Sequence, residues 1–224
     1  MDKLQNDLSD AIFMVHKPLG WTSFDVVKKI RCALKIKKIG HAGTLDPLAT
    51  GLLLLCSGTQ TKKITTLQGL DKTYIGQMVL GKTTPSMDLE TPFNSLSSYD
   101  HITEEMVIAA AATFVGAITQ TPPIYSAIKI GGKRAYKMAR RGEETILSPR
   151  SITIYSFLLT AFNLPFVDFK LVCSKGTYVR SLVHDLGQKL GVGAYLYALC
   201  RTQIGNYCLD QAYTLEALLQ SHSV

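Results

Sequence analysis

The sequence lacks the cysteine pattern of a disulfide scaffold and that of a zinc site. Its five cysteines are odd in number and none forms a Cys-x-x-Cys pair, which favours a reducing cytoplasm. The polar N-terminus contains no signal-peptide core, and the longest apolar stretch, residues 106–118, has 13 residues where a membrane span needs about 20. Phosphate-binding Gly-rich loops, nucleophile elbows and metal-ligand spacings are missing too. These absences predict a soluble cytoplasmic protein without a metal site.

The composition supports a folded core and a polyanionic partner. Of 224 residues, 46% are hydrophobic and 18% charged, which excludes a disordered chain. Lys and Arg number 24 against 17 acids, a net charge of +7. Residues 11–72 carry ten basic residues against three acids, and residues 123–150 seven against two. Two basic segments predict phosphate contacts, although solvated lysine-rich helix faces explain them equally well.

Hydrophobic periodicity predicts an α+β fold around one mixed, mostly antiparallel sheet. Thr22 and Asp25 have the spacing of a capping box, and Thr103 opens an apolar helix that Gly116 closes. Gly131 and Gly132 form a turn before a basic helix. The strands are expected at residues 12–15, 52–56, 73–80, 124–130, 151–160 and 166–173, and the helices at 23–34, 103–116, 134–141, 179–190 and 215–219.

Residues 40–51 are the most informative segment, and they read GHAGTLDPLATG. Three glycines, a proline, a histidine and an aspartate between a basic helix and a hydrophobic strand predict a shaped loop on a rigid support. By itself the pair Asp46-Pro47 also suits an ordinary turn, and a lone His41 is more often a surface residue than a functional one.

The complete set of motifs resembles the TruB family of tRNA pseudouridine synthases. Residues 40–51 are similar to the catalytic loop of that family. Four further segments agree in order and spacing: HKPLGWTS at 16–23, DKTY at 71–74, PIYSAIK at 123–129 with the basic residues after it, and CSKGTYVR at 173–180. The resemblance runs from about Ile12 to Tyr207. It implies the pseudouridine synthase fold with a basic thumb-like insertion at about 123–150.

The resemblance also implies the reaction and the catalytic residues. A uridine in the T-loop of tRNA is flipped out and isomerised without metal or cofactor. Asp46 is the catalytic carboxylate, which attacks the sugar or abstracts its 2′ proton. Arg180 supplies the guanidinium that offsets this carboxylate, and Tyr74 stacks on the uracil with its oxygen near C5. Taken singly, Arg180 suits a helix-edge salt bridge and Tyr74 a plain strand aromatic.

Further residues match substrate-binding positions of the family. His41 is expected to fill the gap that the flipped nucleotides leave in the T-loop, and Tyr178 and Leu199 to line the uracil pocket, although Leu199 also suits a plain core residue. The remaining RNA-binding candidates are Lys17, Pro18, Asp88, Lys129, Lys133, Arg134, Arg140 and Lys175. Around Asp88 the sequence departs from the family pattern, which weakens the inference for that residue.

The organisation expected from the resemblance is a single catalytic domain. Residues 1–10 are predicted to be flexible, 11–210 to form the domain, and 211–224 to form a short helix and tail. No C-terminal PUA domain is expected, and the stand-alone bacterial type is favoured. The expected partner is the T-arm of tRNA, with no guide RNA and no membrane, and the protein is expected to be a monomer.

Three other functions are alternatives to a tRNA pseudouridine synthase. A tRNA-folding chaperone that uses the same surface predicts an eroded site, whereas Asp46, Tyr74 and Arg180 are present. A synthase acting on another stem-loop RNA is compatible with every motif. A hydrolase with an aspartate nucleophile lacks its metal-binding carboxylates.

Overall fold

The computed structural model describes residues 8–143 and 147–220. The helices are α1 Ser23–Ala33, α2 Ile64–Gln68, α3 Glu104–Ala112, α4 Ala135–Ala139, α5 Val179–Lys189 and α6 Leu215–Gln220. The strands are β1 Ile12–Lys17, β2 Ile39–His41, β3 Ala49–Ser57, β4 Lys72–Leu80, β5 Lys82–Thr83, β6 Ser95–Leu96, β7 Gly116–Gln120, β8 Lys129–Ile130, β9 Lys133–Arg134, β10 Arg150–Asn163, β11 Phe166–Cys173, β12 Ala194–Ile204, β13 Tyr207–Cys208 and β14 Tyr213–Thr214. Together they make an α+β fold with a mixed sheet, as predicted.

The chain divides into two compact units. The first unit comprises the described parts of residues 1–74 and 199–224, and the second comprises those of residues 75–198. Strands β4 and β12 each contribute residues to both units, so the boundary does not coincide with a loop.

In the first unit the strand order is β14-β1-β3-β12, with β2 paired to β3 and β13 to β12. Strands β1 and β3 are antiparallel, and Ile12 lies opposite Cys56. The outer partners β14 and β12 run parallel to β1 and β3 respectively.

Strand β3 is buried on both faces, which explains its unbroken apolar run. Leu53 and Leu55 pack into one cluster with α1 and α6, whereas Leu52 and Leu54 pack into another with Leu67 of α2. Successive side chains of a strand point to opposite faces, so one strand serves two hydrophobic layers. This buried strand is the rigid support predicted for the segment 40–51.

Helix α1 begins where the capping box predicts. Thr22 is its N-cap, its hydroxyl accepts from the Asp25 amide at 3.0 Å, and the Asp25 carboxylate accepts from the Thr22 amide at 3.0 Å. Val26, Val27 and Ile30 face the core. The basic residues of the helix and of the turn after it are exposed.

The second unit contains a sheet with the order β4-β11-β10-β7, in which β11 and β7 run antiparallel to β10. On β11 the residues at alternate positions from Val167 to Cys173 are buried, as their spacing predicts. The rings of Phe157 and Phe169 meet edge to face with centroids 5.6 Å apart. Helix α5 begins after Tyr178 with a fully buried first turn.

The predicted strand at residues 124–130 is wrong for most of its length. Only Lys129–Ile130 forms a strand, β8, which pairs with β9 across the predicted Gly131-Gly132 turn. Upstream, the carbonyls of Ser126 and Ile128 accept from the amides of Tyr136 and Ala135 at the start of α4. Because these groups bond to a helix start, they are not available to a strand ladder.

Two of the longer strands, β7 and β12, were not predicted. Gly116 does not close α3; its φ of 111° begins β7, which pairs with β10. Strand β12 was missed because apolar and polar residues do not alternate along it. The region 84–99, predicted as irregular, contains only the two-residue strand β6.

The first and last described segments, residues 8–10 and 215–220, belong to the first unit. Residues 8–10 form a 3₁₀ turn whose Asp10 carboxylate accepts from the Thr59 amide at 2.7 Å, whereas residues 1–7 lie outside the described part. Helix α6 begins after Thr214, as predicted, and buries Leu215 and Leu218 in the core. Among the described residues, no helix is long and apolar enough to cross a membrane.

Candidate active site

The Asp46 loop, residues 42–48, connects β2 to β3 in the first unit. Asp46 is half-buried, and its carbonyl accepts from the Ala49 amide at 3.1 Å, which closes a turn directly before β3. Buried Ser23 at the start of α1 accepts from the Leu45 amide at 2.9 Å and donates to the Leu45 carbonyl at 3.2 Å. The loop is therefore anchored on both sides of its carboxylate.

Lys17 lies buried beneath this loop at the end of β1. Its ammonium donates to the carbonyls of Pro18 at 2.9 Å, Trp21 at 2.6 Å and Pro47 at 3.3 Å. Burial lowers the pKa of Lys17 to about 8, and the nearby Asp46 carboxylate opposes that shift. Lys17, predicted to bind RNA, instead orders the backbone that carries Asp46.

Arg201 of β12 holds the other half of the loop. Its side chain is 1% exposed, and Nε donates to the Leu52 carbonyl at 2.8 Å. The two terminal nitrogens donate to the carbonyls of Gly43 at 3.1 Å and Thr44 at 3.5 Å. One guanidinium thus ties the loop to the strand that follows it.

Gly51 is required where β12 lies beside β3. Arg201 is opposite Gly51 in the parallel register. A Cβ on Gly51 would lie 2.3 Å from the Arg201 carbonyl oxygen, and the φ of 106° is also one that side chains rarely adopt. The glycine at the end of the 40–51 motif therefore has a packing reason.

The other predicted site residues of the first unit lie on strands around the loop. Tyr74 is 8% exposed on β4, and Leu199 is opposite Ala49, the first residue of β3. His41 ends β2 and is half-buried; burial, with the Arg201 charge, lowers its pKa. Pro18 is half-buried and supplies a carbonyl to Lys17.

Arg180 lies in the second unit and is not a helix-edge residue. Its side chain is 3% exposed in the first turn of α5. The terminal nitrogens donate to the carbonyls of Ser86 at 3.0 Å and Tyr125 at 2.9 Å, and Nε lies 3.6 Å from the Asp88 carboxylate. A buried guanidinium held at both ends has one defined orientation.

Asp88, whose role the altered motif left in doubt, is buried beside Arg180. Its second oxygen accepts from the Glu90 amide at 2.9 Å, and its carbonyl accepts from the Thr84 hydroxyl at 2.6 Å. Met87, which lies between Thr84 and Asp88 in the sequence, has a φ of 63°. Asp88 thus partners Arg180 and shapes the loop 84–91, a structural position rather than an exposed RNA contact.

Tyr178 is fixed by a residue that the sequence analysis missed. Gln120 is buried, accepts from the Tyr178 amide at 2.8 Å and donates to the Tyr178 carbonyl at 3.0 Å. The half-buried Tyr178 ring lies against Arg150, whose guanidinium carbon is 4.8 Å from the ring centroid. Tyr178 is the N-cap residue of α5, and its own side chain makes no capping hydrogen bond. The Gln120 side chain instead supplies the acceptor for the Tyr178 amide at this helix end.

The predicted basic contacts of the thumb-like insertion are exposed, namely Lys129, Lys133, Arg134 and Arg140. Arg140 pairs with Glu90 and lies over the Tyr136 ring. Lys175 is exposed in the loop before α5. Residues 144–146 of the insertion lie outside the described part.

The structure therefore groups the predicted residues in two sets. The first unit gathers Lys17, Pro18, His41 and Asp46 with Tyr74 and Leu199 in neighbouring strands. The second gathers Asp88, Tyr178 and Arg180. Sequence reasoning missed Arg201, Gln120 and Ser23. Arg201 had one signal, an arginine within an otherwise nearly uncharged segment, residues 190–209. No described group of three or more His, Cys, Asp or Glu is arranged to hold a metal.

Comparison with family models assigns nearly the whole chain. Residues 31–179 match the TruB family pseudouridylate synthase N-terminal domain, and residues 180–224 match the tRNA pseudouridylate synthase B C-terminal domain. The chain belongs to the TruB family. The second match crosses the boundary between the two units.

Curated relatives of similar length agree with this assignment. The chain is 47% identical over 217 residues to "tRNA pseudouridine synthase B" of Parabacteroides distasonis, covering 94% of this chain and 92% of that protein. It is 46% identical to the protein of the same name from Flavobacterium johnsoniae, covering 96% of both, and 49% identical to that of Opitutus terrae, covering 93% and 87%.

Solved structures with the same fold include parts of larger assemblies. A chain in a Cbf5-Nop10-Gar1 complex matches with a TM-score of 0.74 and 27% identity over 97% of this chain. A chain in an H/ACA RNP bound to a substrate RNA containing 2′-deoxyuridine matches with a TM-score of 0.72 and 26% identity over 95% of this chain. This chain spans 56% and 53% of those two chains.

Proposed function

We propose that this enzyme isomerises uridine to pseudouridine in the T-loop of tRNA, with Asp46 as the catalytic carboxylate. The observation that carries the proposal is the Asp46 loop itself. In a member of the TruB family, a half-buried aspartate projects from a loop whose backbone is fixed by two buried cations. Such anchoring suits a group that must meet a sugar carbon in one orientation.

The reaction rearranges one nucleotide and conserves its atoms. The bond between C1′ of the ribose and N1 of uracil breaks, the freed base rotates, and a new bond forms between C1′ and C5. The C5 proton leaves and N1 gains a proton, so no oxidant, reductant or metal is needed. Asp46 starts the reaction either by attack on C1′ or by removal of the 2′ proton. A kinetic isotope effect with 2′-deuterated uridine distinguishes the two routes.

The other residues take roles that follow from their chemistry. Tyr74 offers a nearly buried ring for stacking on the flipped uracil and a phenolic oxygen for the C5 proton. Arg180 supplies a buried guanidinium that the carbonyls of Ser86 and Tyr125 and the Asp88 carboxylate hold in one orientation. His41, whose pKa burial lowers, fills the gap that the flipped nucleotide leaves.

RNA binding rests on exposed basic side chains. Lys129, Lys133 and Arg134 project from the β8–β9 hairpin, where their charges face water and phosphates can reach them. Lys175 adds a charge near Tyr178. We propose a monomer that binds the T-arm in the cytoplasm without a guide RNA.

The direct test incubates the protein with an unmodified T-arm hairpin transcript and maps pseudouridine by carbodiimide-primer extension. We expect one modified site, in the loop, without added metal or guide RNA. A full tRNA transcript and an unrelated stem-loop RNA are the comparison substrates. Failure to modify either T-loop substrate contradicts the proposal. Equal modification of the unrelated stem-loop contradicts the T-loop assignment alone.

A further inference from the structure

A cavity lies in the first unit, on the outer surface of α1. Its volume is about 440 Å³, and it is lined by Gly20, Trp21, Asp25, Lys28, Lys29 and Cys32. Cavities of about 300–1,000 Å³ hold small ligands in proteins. None of the residues that line it belongs to the Asp46 loop or to the predicted RNA contacts of the thumb-like insertion.

The lining combines an aromatic ring with two exposed cations, of which Lys28 lies near the Asp25 carboxylate. Trp21 is half-buried because part of the indole packs on the core beneath α1. Lys28 and Lys29 are exposed and line the opening. The Asp25 carboxylate is engaged by the Thr22 amide in the capping box, so it stays at the helix start. An indole beside two ammonium groups suits a ligand with a flat base and a phosphate.

The cavity is connected to the Asp46 loop by hydrogen bonds. The Gly20 amide donates to the Pro47 carbonyl at 2.9 Å, and Lys17 bonds both the Trp21 and Pro47 carbonyls. Pro47 directly follows Asp46. Gly20 and Trp21 therefore lie beside the Asp46 loop, and α1 and the turn after it also expose Arg31 and Lys35.

We propose that this cavity binds one nucleotide of the substrate RNA other than the reacting uridine. The base packs against the Trp21 indole, and the phosphate lies on Lys28 and Lys29. This inference rests on the proposed function, because the RNA must be one that Asp46 acts on. It assigns a binding role to α1 that is separate from the thumb-like insertion.

Trp21 is the single tryptophan of the chain, so its fluorescence reports on the cavity in the unaltered protein. The experiment titrates the protein with the T-arm hairpin and follows Trp21 emission, with binding measured in parallel by anisotropy of labelled RNA. We expect the emission to change and to saturate with the same Kd as the anisotropy. Alkylation of Cys32, the exposed cysteine at this cavity, should slow at the same RNA concentrations.

Paired lysine variants test the phosphate contact. Lys28→Ala with Lys29→Ala should weaken RNA binding by about three- to tenfold and lower the slope of log affinity against log salt by about 1 to 2. The control, Lys62→Ala with Lys63→Ala, removes the same charge from another exposed pair of the first unit and should change affinity less than about twofold.

Three results overturn the inference: a flat Trp21 emission while labelled RNA binds, an equal loss in both double variants, or emission that responds to an acidic peptide and not to RNA. Pseudouridine is measured in the same samples to separate the two proposals. Product formation with flat emission contradicts only the cavity. Absence of both RNA binding and product contradicts the proposed function as well.

Discussion

At the scale of single residues, two buried cations act on the backbone that carries Asp46. Lys17 reaches the Pro47 carbonyl after the aspartate, and Arg201 reaches the Gly43 and Thr44 carbonyls before it. The hydrogen bonds of both cations go to backbone carbonyls and not to a surface carboxylate. Leaving such acceptors buried without a donor costs about 1–3 kcal/mol each, so the side chains are hard to replace.

Arg201→Lys should lower kcat by about ten- to a hundredfold with a smaller change in KM. Lysine donates from a single point, whereas the Arg201 guanidinium donates from three separate nitrogens to the carbonyls of Leu52, Gly43 and Thr44, so the loop loses its fixed position. Steady-state kinetics on the T-arm hairpin measure the effect. Leu218→Ala, a core change in the same unit, is the control: it should lower the melting temperature while the folded enzyme keeps its kcat. Equal kcat losses in both variants would show that Arg201 acts only through stability.

The buried Lys17 should make the free energy of unfolding depend on pH. Its pKa falls from 10.5 to about 8 on folding, so between these values the unfolded chain holds the extra proton. The cost of the buried ammonium therefore fades as pH rises. Relative to Lys17→Met, the wild type should gain up to about 1 kcal/mol per pH unit above pH 8. Urea unfolding at pH 7.5, 8.5 and 9.5 measures this, with exposed Lys62→Met as control. A difference that stays constant with pH contradicts the account.

At the scale of elements, α1 connects the fold to both proposed RNA sites. Ser23 in its first turn anchors Leu45 of the Asp46 loop, and Trp21, Lys28 and Lys29 line the cavity on its outer surface. The capping box at Thr22 fixes where this helix begins. A shift of the helix start would move the anchor and the cavity together.

Thr22→Ala should therefore lower the free energy of unfolding by about 1 kcal/mol, because the Asp25 amide loses its acceptor. Denaturant titration gives this value. Thr66→Ala, at an exposed position within α2, is the matched control and should stay within about 0.5 kcal/mol. A Thr22 variant as stable as its control would show that the capping box contributes nothing here.

The elements also show what the sequence could and could not predict. Helix α1 and strands β1, β3, β10 and β11 were predictable because caps and apolar periodicity act locally. Strand β12 was not, because its place beside β3 depends on the close approach at Gly51 and on a buried arginine. The Asp46 loop was found through the resemblance, whereas Arg201 and Gln120 act through tertiary contacts that no local pattern encodes.

At the scale of the whole molecule, the cations proposed to bind RNA are exposed, and the cations that order the candidate active site are buried. All lysines and arginines of the insertion except the half-buried Arg150 are exposed, whereas Lys17, Arg180 and Arg201 are buried and ordered by carbonyls. We therefore expect the exposed cations to determine the affinity for RNA and the buried cations to determine the turnover rate.

Reversal of Lys133, Arg134 and Arg140 to Glu should raise KM about tenfold or more and leave kcat within about threefold, because each lost phosphate contact weakens ground state and transition state alike. Changing Arg140 also breaks its ion pair with Glu90, so Arg140→Ala is measured alone to isolate that effect. The salt dependence of KM should flatten in the triple variant. Unchanged KM at low salt would place the RNA elsewhere.

The central claim is that Asp46 performs the chemistry, and Asp46→Asn tests it most directly. The amide keeps the shape and removes the charge, so single-turnover formation of pseudouridine in the T-arm hairpin should fall by at least about a thousandfold. RNA affinity and melting temperature should stay near those of the wild type. Asp210→Asn, the same change at an exposed position of the first unit, should have no effect. An Asp46→Asn protein that binds the hairpin and converts it within tenfold of the wild-type rate would contradict the account.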